Sequence, residues 1–202
     1  MLDWSGQVCV IVASGPSAKD EDLSKLKDKC KFIVINNSWE LAPWAEVLYA
    51  SDGRWWSRNE RVIREFAGLK YTQDRFAAQK WGLNLVAVTK GNYDLATEPG
   101  KIGVGGNSGF HAVNLACHFR PKRIVLVGYD MTSENGLHWH PDHPRGTLSN
   151  PREGSLKRWR RILDNVAPAI AGLGIECLNA SAKSALEAYQ KVPLMEAVNA
   201  NR

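Results

Sequence analysis

The apolar residues of this chain fall into short runs of branched side chains, separated by longer stretches with helical spacing. Residues 7–13 (QVCVIVA) form the first run and end at Ser14-Gly15-Pro16-Ser17, the pattern of a buried strand followed by a sharp turn. Ser17 or Asp20 is placed to cap a short helix that carries Leu23 and Leu26. Residues 32–35 read as a second strand, stopped by Asn36-Asn37-Ser38, and residues 47–50 as a third that delivers Ser51-Asp52-Gly53. Trp55, Val62, Ile63 and Phe66 predict one helix over 54–66. Lys70-Tyr71 reads as a strand tip and 83–88 as a fuller strand, whereas the glycine-rich stretch 89–106 has no periodicity and reads as a long loop. A helix then opens at Asn107 or Ser108 and runs to about residue 118, with Phe110, Val113, Leu115 and Cys117 on its apolar side. Residues 124–127 form a strand ending in Gly128-Tyr129-Asp130, and the polar, histidine-rich segment 131–152 reads as a loop or lid. A long helix over 153–171, a strand at 175–178 and short helices after Ser181 and Pro193 complete the pattern.

This alternation predicts the α/β class, with a mostly parallel sheet covered by helices on both faces. In such folds ligands bind outside the carboxyl ends of the strands, where the strand order reverses. No repeat, low-complexity block or linker divides the chain, so residues 1–202 are expected to form one domain.

Composition narrows the class. Apolar residues are 44% and charged residues 23%, ordinary values for a globular protein. No apolar run is long enough to span a bilayer, and no basic flank precedes an apolar stretch at the start. A membrane span and a secretory leader are therefore not expected, and a cytoplasmic location is. Cys9, Cys30, Cys117 and Cys177 are widely spaced, as buried free thiols are, rather than paired in metal knuckles. The net charge of +5 has its basic residues concentrated at 54–64, 120–123 and 145–161. Such a surface either attracts anions or serves solubility. Basic residues alternate with Trp55, Trp56, Trp81 and Trp159, which could stack on bases, but no nucleic-acid module accompanies them, so nucleic acid is not the expected partner.

Four segments can carry chemistry. Ser14-Gly15-Pro16-Ser17 lies between a strand and a helix, where free amides receive a phosphate, or it is a plain turn and cap. Asn36 and Asn37 offer two-sided amide hydrogen bonding or an Asx turn; Asp52 offers a ribose or metal contact, or a cap for the next helix. The run 103–109, with Asn107, Ser108 and Gly109 at its end, can form a concave row of backbone amides. His138-Trp139-His140-Pro141-Asp142-His143 resembles the His-x-His-x-Asp-His signature of the metallo-β-lactamase superfamily. No histidine follows His143, although that superfamily takes further ligands from downstream. A general acid or base among these imidazoles is the alternative to a metal, with Arg145 and Arg152 nearby to hold phosphate.

Three blocks, VIVASGPSAKD (10–20), GNSGFHAVNLACHFRPKRIVLVGYDM (106–131) and IECLNASAKSAL (175–186), resemble those of the DUF115 family. That group includes archaeal 6-hydroxymethylpterin diphosphokinases and bacterial surface-glycan proteins. The chain is also similar, more distantly, to the family 42 sialyltransferases, which use a CMP-sugar. The resemblance implies a Rossmann-like nucleotide-binding transferase. Gly15, Pro16 and Ser17 would lie in the phosphate-side loop, and Asn36 or Asn37, Asp52, Asn107, Ser108 and Gly109 would line the nucleotide pocket. Asp130 matches the family's Gly-x-Asp strand end, and His138, His140 and His143 stand where sialyltransferases carry a catalytic histidine.

Glycosyl transfer from a nucleotide-sugar is the leading expectation, with His140 as first choice for the base and Arg145 or Arg152 stabilising the departing phosphate. Diphosphoryl transfer from ATP is the alternative, with Asp52 and Asp130 positioning magnesium. A third, non-enzymatic class is a nucleotide-binding or sequestering protein, for which a phage or other viral source is the expectation. The sequence leaves the base, the acceptor and the oligomeric state open.

Overall fold

The computed structural model describes residues 2–91, 93–144 and 147–199. Its elements in chain order are β1 (Val8–Val12), β2 (Lys31–Ile35), β3 (Val47–Tyr49), α1 (Gly53–Arg58), α2 (Arg61–Glu65), β4 (Leu69–Thr72), α3 (Arg75–Trp81) and β5 (Asn84–Leu85). There follow β6 (Ala87–Val88), β7 (Lys101–Ile102), α4 (Ser108–Phe119), β8 (Arg123–Val127), α5 (Glu153–Gly172), β9 (Glu176–Asn179), β10 (Gln190–Lys191) and α6 (Leu194–Asn199). Eight strands pair in parallel in the order β10-β9-β8-β1-β2-β3-β4-β5, while β6 and β7 make a separate parallel pair.

Both faces of the sheet are buried, which is why its central strands read as unbroken apolar runs. Along β1, Cys9 and Ile11 join the cluster beneath α4 and α5, while Val8, Val10 and Val12 join the opposite cluster. The first cluster takes Phe110, Val113 and Leu115 from α4 and Ile162, Leu163, Val166 and Ile170 from α5. The second takes Trp55 and Trp56 from α1, Val62 from α2, Ala77 and Ala78 from α3 and Leu194 from α6. The chain builds outward from β1 to β5 and then returns to place β8 on the other side of β1. That reversal between β1 and β8 is the switch point at which an open α/β sheet holds its ligand.

Several local expectations are corrected. The helix expected over 54–66 is two helices, because the Asn59 side-chain amide donates to the Trp55 carbonyl and closes α1. The first helix is a pair of 3-10 turns, Pro16–Asp20 and Leu23–Leu26, with Gly15 rather than Ser17 or Asp20 at the first cap. The strand expected over 83–88 divides between β5, paired with β4, and β6, paired with β7, so the loop at 89–106 holds a strand. The segment after Ser181 is a turn rather than a helix. Among the described residues no helix is long and apolar enough to cross a membrane.

Candidate functional site

The carboxyl ends of β8, β1, β2, β3 and β4 face one cavity of about 500 Å³, a size suited to a small organic ligand. Each strand contributes its next residues: Gly128 and Asp130, Ser14 and Gly15, Asn36, Ser51, and Gln73. Gly106–Gly109 at the start of α4 form another wall, and His138, His143 and Trp159 close the side built by the 131–151 segment and α5.

Gly15 is where the loops that follow β1 and β8 meet. Its N–H donates to the Gly128 carbonyl at 2.9 Å, and a Cβ there would lie 2.0 Å from Asp130 Oδ2. Asp130 is 2% exposed, and its Oδ2 accepts the Ser17 hydroxyl at 2.8 Å. Its Oδ1 is buried in the cavity wall without a partner among the described residues. Burial raises the Asp130 pKa above the ordinary carboxylate value, against the opposing Ser17 hydrogen bonds. Met131, which follows, has φ 52°, and Asn36 has φ 50°. Two cavity-lining residues other than glycine thus hold the left-handed conformation, which costs about 1–3 kcal/mol each.

The histidine-rich segment is fastened to the sheet by Trp139. Its N–H donates to the Ser14 carbonyl at 3.0 Å, and its indole donates to Ser38 Oγ at 3.1 Å. Ser38 is itself fixed by donating to the Ala13 carbonyl. On either side of this anchor the three imidazoles pack together. His138 and His140 stack at 4.7 Å with their planes 8° apart, and the His140 and His143 rings are 5.3 Å apart. Burial, helped by the neighbouring imidazoles, lowers the His138 pKa to about 4 and that of His143 below its ordinary value. His138 Nε2 is buried and unpartnered among the described residues. Asn150 clamps the His143 backbone by two hydrogen bonds, of 2.9 and 3.0 Å.

At the other end of the cavity is a polar network that joins Ser51 and Ser108 to His111 and Tyr49, two residues the sequence did not single out. His111, on α4, is 3% exposed and lines the cavity. Its Nδ1 lies 2.9 Å from Tyr49 Oη and 3.0 Å from Ser51 Oγ, and Ser51 Oγ lies 2.9 Å from Ser108 Oγ. Its Nε2 faces the Val104 carbonyl at 3.2 Å. Burial lowers the His111 pKa to about 4.

Of the residues proposed from sequence, Gly15, Asn36, Asn107, Ser108, Gly109, Asp130, His138 and His143 lie together around the cavity. Pro16 opens the first 3-10 turn, and Ser17 reaches the site through Asp130. Asn37 faces Trp55, accepting its indole N–H at 2.8 Å. Asp52 caps α1 by accepting the Arg54 N–H and pairs with the Arg54 guanidinium at 2.9 Å. His140 is absent from the lining, and its Nδ1 sits 2.8 Å from the Pro141 carbonyl. Arg145 lies outside the described residues, and Arg152 is exposed at the start of α5. Asn107 caps α4, accepting the Phe110 N–H at 2.9 Å. No group of three or more His, Cys, Asp or Glu residues among the described residues is arranged to hold a metal ion. Trp55 and Trp56 are packing anchors, at 2% and 0% exposure. Ser14 belongs to the first candidate loop, whereas Gln73, His111, Asn150 and Trp159 were not identified beforehand as site residues.

No protein-family model and no curated protein matches the chain. Among solved structures, two chains match. One is the sialyltransferase CstII from Campylobacter jejuni, solved in complex with a substrate analogue, cytidine-5′-monophosphate. It aligns with a TM-score of 0.61 and 12% identity, over 96% of this chain and 88% of that one. This neighbour corresponds to the sialyltransferase side of the sequence resemblance and not to its DUF115 or diphosphokinase side. What the alignment shows is a shared α/β fold, extending over nearly the whole of this chain.

Proposed function

We propose that the cavity binds a nucleotide-sugar and that the chain transfers the sugar to an acceptor hydroxyl. The observation that carries this reading is a set of unpartnered atoms. Ser14 Oγ, Asp130 Oδ1, His138 Nε2 and Trp159 Nε1 are buried without a hydrogen-bond partner among the described residues, and all four belong to residues lining this cavity. Such atoms are costly unless a ligand supplies partners, and a mixture of donors and acceptors suits a polyhydroxylated ligand. The fold shared with a sialyltransferase solved with cytidine-5′-monophosphate supports the same reading.

In this reaction the acceptor oxygen attacks the anomeric carbon, the bond from that carbon to the phosphate oxygen breaks, and the acceptor proton passes to an imidazole. His143 replaces His140 as the first choice for that base, because it lines the cavity and Asn150 holds its backbone. His138, with a pKa of about 4, stays neutral at pH 7 and serves as a hydrogen-bonding group. Diphosphoryl transfer is less well supported, because Asp52 is engaged with Arg54 and leaves Asp130 as the single lining carboxylate among the described residues.

The test is turnover of His138, His140 and His143 alanine variants against a nucleotide-sugar panel, with and without chelator. His143→Ala is expected to lower turnover by about 10²–10⁴-fold with a much smaller change in nucleotide affinity. Wild-type turnover should hold through pH 6.5 and fall only at a more acid pH than an ordinary histidine would give, since the base must be unprotonated and its pKa is lowered. Near-normal turnover in all three variants sinks the catalytic loop. Activity lost to chelator and restored by magnesium favours diphosphoryl transfer.

A further inference from the structure

The proton bookkeeping around His111 is nearly closed. The Val104 carbonyl can only accept, so His111 Nε2, 3.2 Å away, carries the ring proton. A neutral ring then has a bare Nδ1 with one lone pair, and Tyr49 Oη is the nearest donor, at 2.9 Å. With that position filled, Ser51 donates along its other short contact, to Ser108 Oγ at 2.9 Å. The one other outlet for the Ser51 proton, Tyr49 Oη, is longer at 3.4 Å, and Ser108 Oγ also accepts the Ser51 N–H at 3.4 Å, so along the shortest contacts the Ser108 proton is the one left over. It turns into the cavity, beside the first amides of α4, which have no partner within the helix.

We infer that His111 is a positioning residue that fixes Ser108 as a hydrogen-bond donor, so that this end of the cavity binds the phosphate of a phosphorylated, hydroxyl-bearing ligand. The inference rests on the nucleotide-sugar reading and adds the orientation of the ligand within the site. Two further observations support it. Among the described residues the lining has no lysine or arginine, so the donors these residues offer an anion are amides and hydroxyls, whose polarity then matters. At the β8 side, the buried Asp130 carboxylate has an unpartnered oxygen that calls for a hydroxyl donor. Donors at one end and an acceptor at the other match a phosphate joined to a polyol.

The experiment titrates the ¹⁵N-labelled 202-residue chain with cytidine-5′-monophosphate, cytidine and inorganic phosphate. Amide shifts and the His111 ring nitrogens are followed together. The expected results are saturable shifts at Ser108 and Gly109 with cytidine-5′-monophosphate and with phosphate, and a His111 ring protonated at Nε2. Ser108→Ala should weaken cytidine-5′-monophosphate binding by about 10-fold and cytidine binding hardly at all. His111→Leu should weaken it similarly, whereas His111→Gln, which retains a donor and an acceptor, should recover part of the loss. If His111→Leu fails to fold, the tautomer and the Ser108→Ala ratio still decide. A ring protonated at Nδ1, or equal losses of both ligands in Ser108→Ala, overturns the inference. Shifts with inorganic phosphate but not with the nucleotide keep the anion site and remove the nucleotide reading. No response at Ser108 and Gly109 to either phosphate-bearing ligand removes the inference itself.

Discussion

Gly15 has no room for a side chain. A Cβ would meet Asp130 Oδ2 at 2.0 Å and the Gly128 carbonyl at 2.4 Å. Gly15→Ala should therefore destabilise the fold by about 1–3 kcal/mol, read from urea midpoints, and push Asp130 out of place. Adding Asp130→Ala should recover part of that loss but not all, because the Gly128 carbonyl remains; no coupling between the two substitutions would place the strain elsewhere. His111 makes a different prediction at the same scale. Its native pKa is about 4 and its unfolded value near 6.5. Above pH 6.5 the ring is neutral in both states and contributes nothing to pH dependence. Between 6.5 and 4 the unfolded chain takes up a proton that the native state does not, so stability falls as pH falls, by up to about 3 kcal/mol. Urea midpoints at pH 7 and pH 4.5 should show this drop, and His111→Gln should remove much of it. An identical pH dependence in the variant would contradict the burial-driven shift.

Elements were legible where burial leaves a pattern in the chain. β1, β2 and β8 are covered on both faces and show as branched runs, while α5 buries Leu156, Ile162, Leu163, Val166 and Ile170 along one stripe. α3 gave no such signal, since it buries two alanines and leaves Phe76 73% exposed. It is held at its start by Asp74, whose carboxylate accepts the Ala77 N–H at 2.8 Å. Asp74→Ala should cost about 1 kcal/mol and speed hydrogen exchange in α3 before the rest of the chain. Unchanged exchange there would mean that tertiary packing, rather than the cap, holds the helix. β10 was illegible for another reason: it is two exposed polar residues, defined by pairing with β9 alone.

For the whole molecule, the sequence located the site by class but not in detail. The polar loops after β1, β2, β3 and β8 could be named beforehand, because a parallel sheet exposes those ends together, but the loop after β4 that supplies Gln73 was not. Which residues of each loop turn inward could not be read, since that depends on long-range packing. Asn36 faces the cavity while Asn37 faces Trp55, and the docking of Trp139 on Ser14 and Ser38 sets where the three imidazoles stand. The switch between β1 and β8 has a consequence for how the protein is made. Ser17 and Asp130 meet across 113 positions of chain, and β8 must pair with β1 after four other strands of the main sheet have been synthesised. A nascent chain emerging from the ribosome therefore has its first glycine loop early and the carboxylate that packs against it late. The cavity cannot form before β8 docks and is closed only by the segment and helix that follow it, so occupancy of this site reports completion of the central sheet, and a ligand that binds it stabilises the entire chain rather than a part.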